Sequence, residues 1–145
     1  GGVLKCGDFD DDACESLRKT IAEAEAAYPA KMETWSIHQG IEEAWKIVTM
    51  ANGFIELTQP FKLAKDETQA ARLDAVLYHL AEAVAHASVL LDPIMPTMCA
   101  RIRDQLHWTL PAEFTLADLQ WGLLPEGHQV GEGVPLFPRV ELPST

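Results

Sequence analysis

The chain has 145 residues, 48% hydrophobic and 23% charged, with 11 Lys and Arg against 22 Asp and Glu and a net charge of −11. That size suits one domain with a real core, and neither a membrane span of roughly 20 apolar residues nor a secretory leader is present in the sequence. The acidity opposes broad phosphate binding, which Lys and Arg drive by displacing counterions, and the scattered Cys6, Cys14 and Cys99 fit neither a disulfide framework nor a zinc signature.

Asp10-Asp-Asp12 offers N-caps for a first helix from about Ala13 to Tyr28, with Leu17, Ile21 and Ala24 at helical spacing and Pro29 as its end. A second helix is predicted from Lys31 or Glu33 to Leu57. His38, Ile41, Trp45, Val48, Asn52 and Ile55 recur at three and four residues, and Ile37, Ala44, Ile47, Ala51 and Phe54 widen the same face. Such a stripe has more apolar positions than two neighbouring helices cover, so an exposed apolar groove beside this helix is expected. Pro60 breaks the pattern. Asp66 caps a third helix over about Glu67–Leu91, with Leu73, Leu77, Leu80, Val84, Ala87 and Leu91 as its stripe, and Asp92-Pro93 stops it. Pro96 suits the first turn of a fourth helix to about His107, burying Ile94, Met98, Ile102 and Leu106. A short helix follows at Leu116–Gln120. After Trp121 the Gly- and Pro-rich chain has no period and reads as an extended tail packed over the bundle. The fold class is all-α, an antiparallel helix bundle with an extended C-terminal tail.

Few residues carry chemistry. Asn52, the only Asn, lies in line with Val48 and Ile55, where a buried amide needs partners or costs about 1–3 kcal/mol. It reads first as a structural amide bonding a backbone carbonyl near the Pro60 turn. Phe61 follows Pro60 at a helix end, with Lys62 and Lys65 close by in the chain. It is either a plug for the core or a ring presented to a nucleotide whose phosphates the lysines meet. His79, Glu82 and His86 lie three and four apart. A metal site there is conceivable, but a di-iron bundle needs Glu-x-x-His on two helices, which the sequence lacks. A solvated flank with local pairing is the expectation. Cys99 reads as a small buried hydrophobe. Arg101 and Arg103 read as solvated and paired with acidic neighbours. The chain starts Gly1-Gly2 without Met and is read as a piece of a longer protein.

Three blocks in order, the helix from Trp35 running into Gln59-Pro60-Phe61, then Leu90-Leu-Asp-Pro-Ile-Met-Pro96, then Pro135-Leu-Phe-Pro-Arg-Val-Glu141, resemble the C-terminal anticodon-binding domain of methionyl-tRNA synthetases. The resemblance spans residues 1–141, leaving 142–145 as a tail. It implies the helical bundle of class I synthetase anticodon-binding domains. In that family the Phe61 position is usually Trp, in a Pro-Trp pair, and the ring stacks on an anticodon base. Here the smaller Phe stands in, and stacking is favoured over the plug. The matching Asn of the family belongs to the domain's characteristic helix, and Leu136-Phe-Pro-Arg139 matches its closing motif, with Leu136 and Phe137 pinning the tail. The family's other anticodon readers, an Asn and an Arg one turn apart on the first helix of the domain, have no counterpart. Asn52 is followed four residues later by Glu56, and the chain is expected to begin after that helix.

The resemblance implies an anticodon-binding domain of a cytoplasmic methionine–tRNA ligase, with methionine tRNA, through its CAU anticodon loop, and the parent's own catalytic domain as partners. No membrane association is implied. Phe61, Lys62, Lys65 and Asn52 are the candidate RNA-binding residues, with no catalytic residue and no metal ligand. ATP and Mg belong to the parent's catalytic domain, whose His-Ile-Gly-His-like and Lys-Met-Ser-Lys-Ser-like signatures are absent here, and no cofactor is expected in this piece. Two alternatives stay open at this level: an anticodon domain of a sibling class I synthetase, and an acidic helical protein–protein module.

Overall fold

In a computed structural model, which describes residues 3–5 and 11–131, the chain is all-helical. The helices are α1 (Asp12–Glu33), α2 (Ile37–Thr58), the single turn α3 (Pro60–Leu63), α4 (Ala70–Leu90) and α5 (Pro96–Gln105). One-turn 3-10 segments lie at Glu67–Gln69 and Leu116–Asp118. Asp11 is the N-cap of α1, its Oδ1 accepting from Cys14 N at 3.0 Å. Asp66 caps the Glu67–Gln69 turn in the same way, accepting from Thr68 N at 3.0 Å.

Pro29 does not end the first helix. It lies inside α1, which runs on to Glu33. Proline removes one amide donor and crowds the preceding turn. Here Tyr28, just before it, is 3% exposed and its hydroxyl donates to Leu90 O at 2.7 Å, so packing holds the helix through the fault. The real stop is a Schellman motif. Ser36 N donates to Lys31 O at 3.0 Å and Trp35 N to Met32 O at 3.1 Å, with Trp35 left-handed at φ 57°. α5 ends in the same way: Trp108 N bonds Arg103 O and His107 N bonds Asp104 O, with His107 at φ 51°. Glycine normally fills this position, because a side chain there is strained. Trp35 is 85% exposed and has little packing to lose. Trp35→Gly should therefore raise stability by about 0.5–1 kcal/mol in urea melts; a loss would assign the indole a packing role.

α1 and α4 run parallel and in register across the core. Arg18 meets His79, Glu25 meets His86 and Tyr28 meets Leu90. α2 runs antiparallel to α1 after the Thr34–Ser36 turn. Close approach of these two explains its small residues: a Cβ on Gly40 would meet Met32 Sδ at 2.6 Å. Leu17, Ile21, Ala24 and Tyr28 of α1 pack with Ala44, Ile47, Ala51 and Phe54 of α2 and with Val76, Ala83, Leu90 and Leu91.

The core thus takes only one of the two apolar stripes on α2. His38 and Asn52 are exposed, as are Trp45 (55%) and Ile55 (37%), while Val48 is half-buried. Asn52 is not a buried amide. It stands on the rim of an apolar groove of about 330 Å³ between α2, α4 and Ile102 of α5, with Val48, Ile55, Leu80 and Val84 in its walls.

Arg103 has the acidic partner expected of it but is not solvated. Its side chain is only 11% exposed, and it ties α5 back to the end of α4 through Asp92 Oδ1 at 2.6 Å and Ser88 O at 3.2 Å. Arg101 is exposed. Arg103→Gln should cost about 1–2 kcal/mol, while Arg101→Gln should stay within about 0.5 kcal/mol. Equal effects in denaturant melts would contradict this difference. Cys99, next to this corner, is fully buried, and burial followed by the Asp92 charge pushes its thiol pKa up.

From Leu119 to Gly131 the chain crosses α4 and α5 as a strap. Leu124 is fully buried, and Leu4 is buried beside it with Tyr78 and Ala85. Leu136, Phe137 and Arg139, and the boundary at residue 141, lie outside the described residues.

Candidate functional site

The Phe61 turn is built by backbone geometry. Gln59 takes a left-handed conformation, φ 48° and ψ 61°, and its N–H closes α2 onto Ile55 O at 2.8 Å. Pro60, at the first position of α3, has no N–H to satisfy and suits a helix start. Two further bonds fix the turn, Ala64 N to Pro60 O at 2.9 Å and Lys65 N to Lys62 O at 3.1 Å, and Leu63 packs against the core. On this frame Phe61 is 60% exposed, so it is not a plug for the core. Lys62, on the same turn, and Lys65, just beyond it, are exposed, and Leu57, 70% exposed, adds apolar surface before the turn. The carboxylate of Asp66, beyond Lys65, is held low by its hydrogen bonds from the Thr68 side chain and backbone.

The structure therefore places Phe61 and Lys62 on one hydrogen-bonded turn, with Lys65 just beyond it. Asn52 stands apart, seven residues before Gln59 and about 10 Å up the helix axis, on the groove rim. An exposed ring on a fixed backbone, flanked by ammonium groups, suits stacking on a base and contact with its phosphates.

A second polar constellation was expected on a solvated flank and is instead buried. His79 is 5% exposed, and Glu82 and His86 are fully buried. Their face of α4 continues into Val89 and Leu90, so the stripe is the core stripe. It admits charge because α1 and the strap supply partners. The Arg18 guanidinium can only donate, so Nε2 of His79 accepts from it at 2.7 Å, and Nδ1 of His79 carries the proton, donating to Ala75 O at 2.7 Å. His86 has a carboxylate at each ring nitrogen, Glu25 Oε1 at Nδ1 and Glu82 Oε2 at Nε2, the latter at 3.1 Å. Glu82 also takes the backbone N–H groups of Leu124 at 2.6 Å, Gly122 at 3.1 Å and Leu123 at 3.2 Å. Among the described residues, no group of three or more His, Cys, Asp or Glu is arranged to hold a metal ion.

Burial opposes charge on His86, but the hydrogen bonds and charges of Glu25 and Glu82 outweigh it and raise its pKa to about 9. Burial likewise opposes charge on Glu82, and the His86 bond and the strap N–H donors outweigh it, leaving its pKa lowered. Since the folded pKa of His86 is raised, its contribution is complete below about 6.5 and lost as pH rises through about 9. Urea stability should fall over that window, by at most about 3 kcal/mol, and His86→Gln should flatten the profile. A flat wild-type profile would contradict the charge assignment.

No family model matches the chain. It is 34% identical over 141 residues to a methionine–tRNA ligase of Caldanaerobacter subterraneus, covering 97% of this chain and 22% of the relative. It is 36% identical over 150 residues to that of Streptomyces coelicolor, covering 97% of this chain and 28% of the relative. Among solved structures, free methionyl-tRNA synthetase of Mycobacterium tuberculosis superposes with a TM-score of 0.86 at 26% identity, over 98% of this chain and 29% of that one. The chain thus spans between a fifth and a third of the proteins it matches. Along nearly its whole length, this chain is related to the methionyl-tRNA synthetases, class I methionine–tRNA ligases, and corresponds to one part of them.

Proposed function

We propose that this domain docks the anticodon loop of methionine tRNA and checks its CAU anticodon within a cytoplasmic methionine–tRNA ligase. Phe61 stacks on an anticodon base, and Lys62 and Lys65 meet the adjoining phosphates. Asn52, on the groove rim, takes a polar contact further along α2. The ligase's own catalytic domain binds ATP and Mg and activates methionine. The observation that carries this reading is the Phe61 turn: a ring 60% exposed on a hydrogen-bonded frame, followed by two exposed lysines, in a chain related to tRNA ligases. The overall charge of −11 does not oppose it, because a single docked loop needs only a local basic rim.

The test uses the full-length parent ligase. Anticodon stem-loops carrying CAU should compete with methionine tRNA for charging, and stem-loops with altered anticodons should compete at least tenfold less well. Equal competition by both would overturn the reading. Among the described residues no helix is long and apolar enough to cross a membrane.

A further inference from the structure

The far end of the strap is tied to the end of α5 by His128 Nε2 to Leu106 O at 2.6 Å and Gly131 N to Gln105 O at 2.8 Å, while its Trp121–Leu124 stretch is fastened to α4 by few polar groups. Glu82 receives three consecutive backbone N–H donors, from Gly122, Leu123 and Leu124, and Gly122 adopts φ +97° to present them. Tyr78 has one hydroxyl proton and gives it to Leu124 O at 2.6 Å, so its 3.4 Å approach to Glu82 is a contact only. Trp121 closes over the cluster, its ring 6.0 Å from His86 and 5.0 Å from His79, with the Arg18 guanidinium 6.0 Å from its face. The apolar anchors of this stretch are Leu119 and Leu124, with Leu123 half-buried.

Both nitrogens of His86 face carboxylate oxygens, which only accept while ionised. Two ionised carboxylates therefore require two ring N–H groups, which only the imidazolium has. The groups facing this ring are Glu25, with Arg18 nearby, from α1, Glu82 and His79 from α4, and Trp121 from the strap. Remove the proton, and a lone pair points at a carboxylate while Glu25 and Glu82 lose the cation between them. The Glu25 side chain is 13% exposed and can turn toward water; Glu82, at 0%, has no such route unless the strap lifts. The helices rest on more than this cluster: Leu17, Ile21, Ile47 and Leu90 lie in one apolar core, to which the strap adds only Leu119 and, half-buried, Leu123.

The geometry points to a proton-held latch: the His86 imidazolium keeps Glu82 charged in place, Glu82 holds Trp121–Leu124 shut on α4, and loss of that proton opens the strap while the helix core stays folded. The inference is independent of any RNA contact.

Hydrogen exchange on the full chain tests it, with rates corrected for the intrinsic dependence on pH. Between pH 7 and pH 10, the amides of Gly122, Leu123 and Leu124 should lose at least tenfold in protection, while those of Ile47, Phe54 and Leu90 keep theirs. In Glu82→Gln and His86→Gln the three strap amides should already be open at pH 7, again by at least tenfold relative to the core. Should either variant fail to fold, ring NMR of wild-type His86 beside its own exchange data decides: two ring N–H groups at pH 7 that fall to one near pH 9, over the same range in which the strap amides lose protection, support the latch. A neutral ring at pH 7, unchanged strap protection up to pH 10, or opening of the strap only together with the helices would each overturn it.

Discussion

Phe54→Ala should remove about 3–5 kcal/mol of stability, a large share of what a domain of this size has. Phe54 is 2% exposed near the C-terminal end of α2, where its ring stacks 6.2 Å from that of His79. Its backbone is pinned as well, because the Thr58 hydroxyl donates to Phe54 O at 2.6 Å. Truncation leaves a cavity in a region tied by hydrogen bonds to α1, α4 and the strap, so collapse is limited and the cost sits toward the upper end of the range. Urea melts should show a lower midpoint with an unchanged slope. A cost below about 1 kcal/mol would mean that the neighbours repack freely, contrary to the registered contacts across the core.

Phe61→Ala, seven residues further on, should do the opposite. With 60% of its surface exposed, stability should change by less than about 0.5 kcal/mol. In the parent ligase, discrimination in favour of the CAU anticodon should weaken by about 1–3 kcal/mol in kcat/KM, the worth of one base stack. Methionine activation should be unchanged, and Phe61→Trp should hold or improve charging, because a larger ring covers more of a base. Charging of tRNAs with CAU and altered anticodons, measured beside melting curves, separates the outcomes. A sharp loss of stability with equal damage to all tRNAs would assign Phe61 to packing.

These two phenylalanines also show what the sequence could and could not disclose. The existence of the helices was legible, since Leu17, Ile21 and Ala24, and then Ile47, Ala51 and Phe54, recur at the helical period, but the stripe read for α4 was displaced: Leu77 and Val84 on it are exposed, and Val76, Ala83 and Leu90 face the core. The Gln-Pro-Phe stop was legible too. The end of α1 was not: its left-handed terminator is Trp35 rather than Gly, while Pro29 gave a false stop that packing overrides. α2 carries two apolar stripes, and periodicity alone could not say which one α1 would approach. The clue lay in residue size, since Gly40, Ala44 and Ala51 admit a close neighbour and Trp45 does not. The buried cluster was the largest miss. His79, Glu82 and His86 looked like a wet flank because their counter-charges, Arg18 and Glu25, sit 61 residues away on α1. The signal was the matching seven-residue spacing of Arg18 to Glu25 and His79 to His86, which two parallel helices in register bring face to face.

Val3 pairs with Gln129 in a single antiparallel bridge, and Leu4 bonds the strap twice, through His128 O and Gly127 N, both at 2.7 Å. The described chain thus enters and leaves the helix array at one spot. Tension applied between residue 3 and residue 131 would fall on that bridge and unzip it one bond at a time, as at the open end of a hairpin. It would not shear α1, α2 and α4 past one another. Mechanically, the domain is a side-loaded module: the strap peels first, and the helical core carries no load until it has.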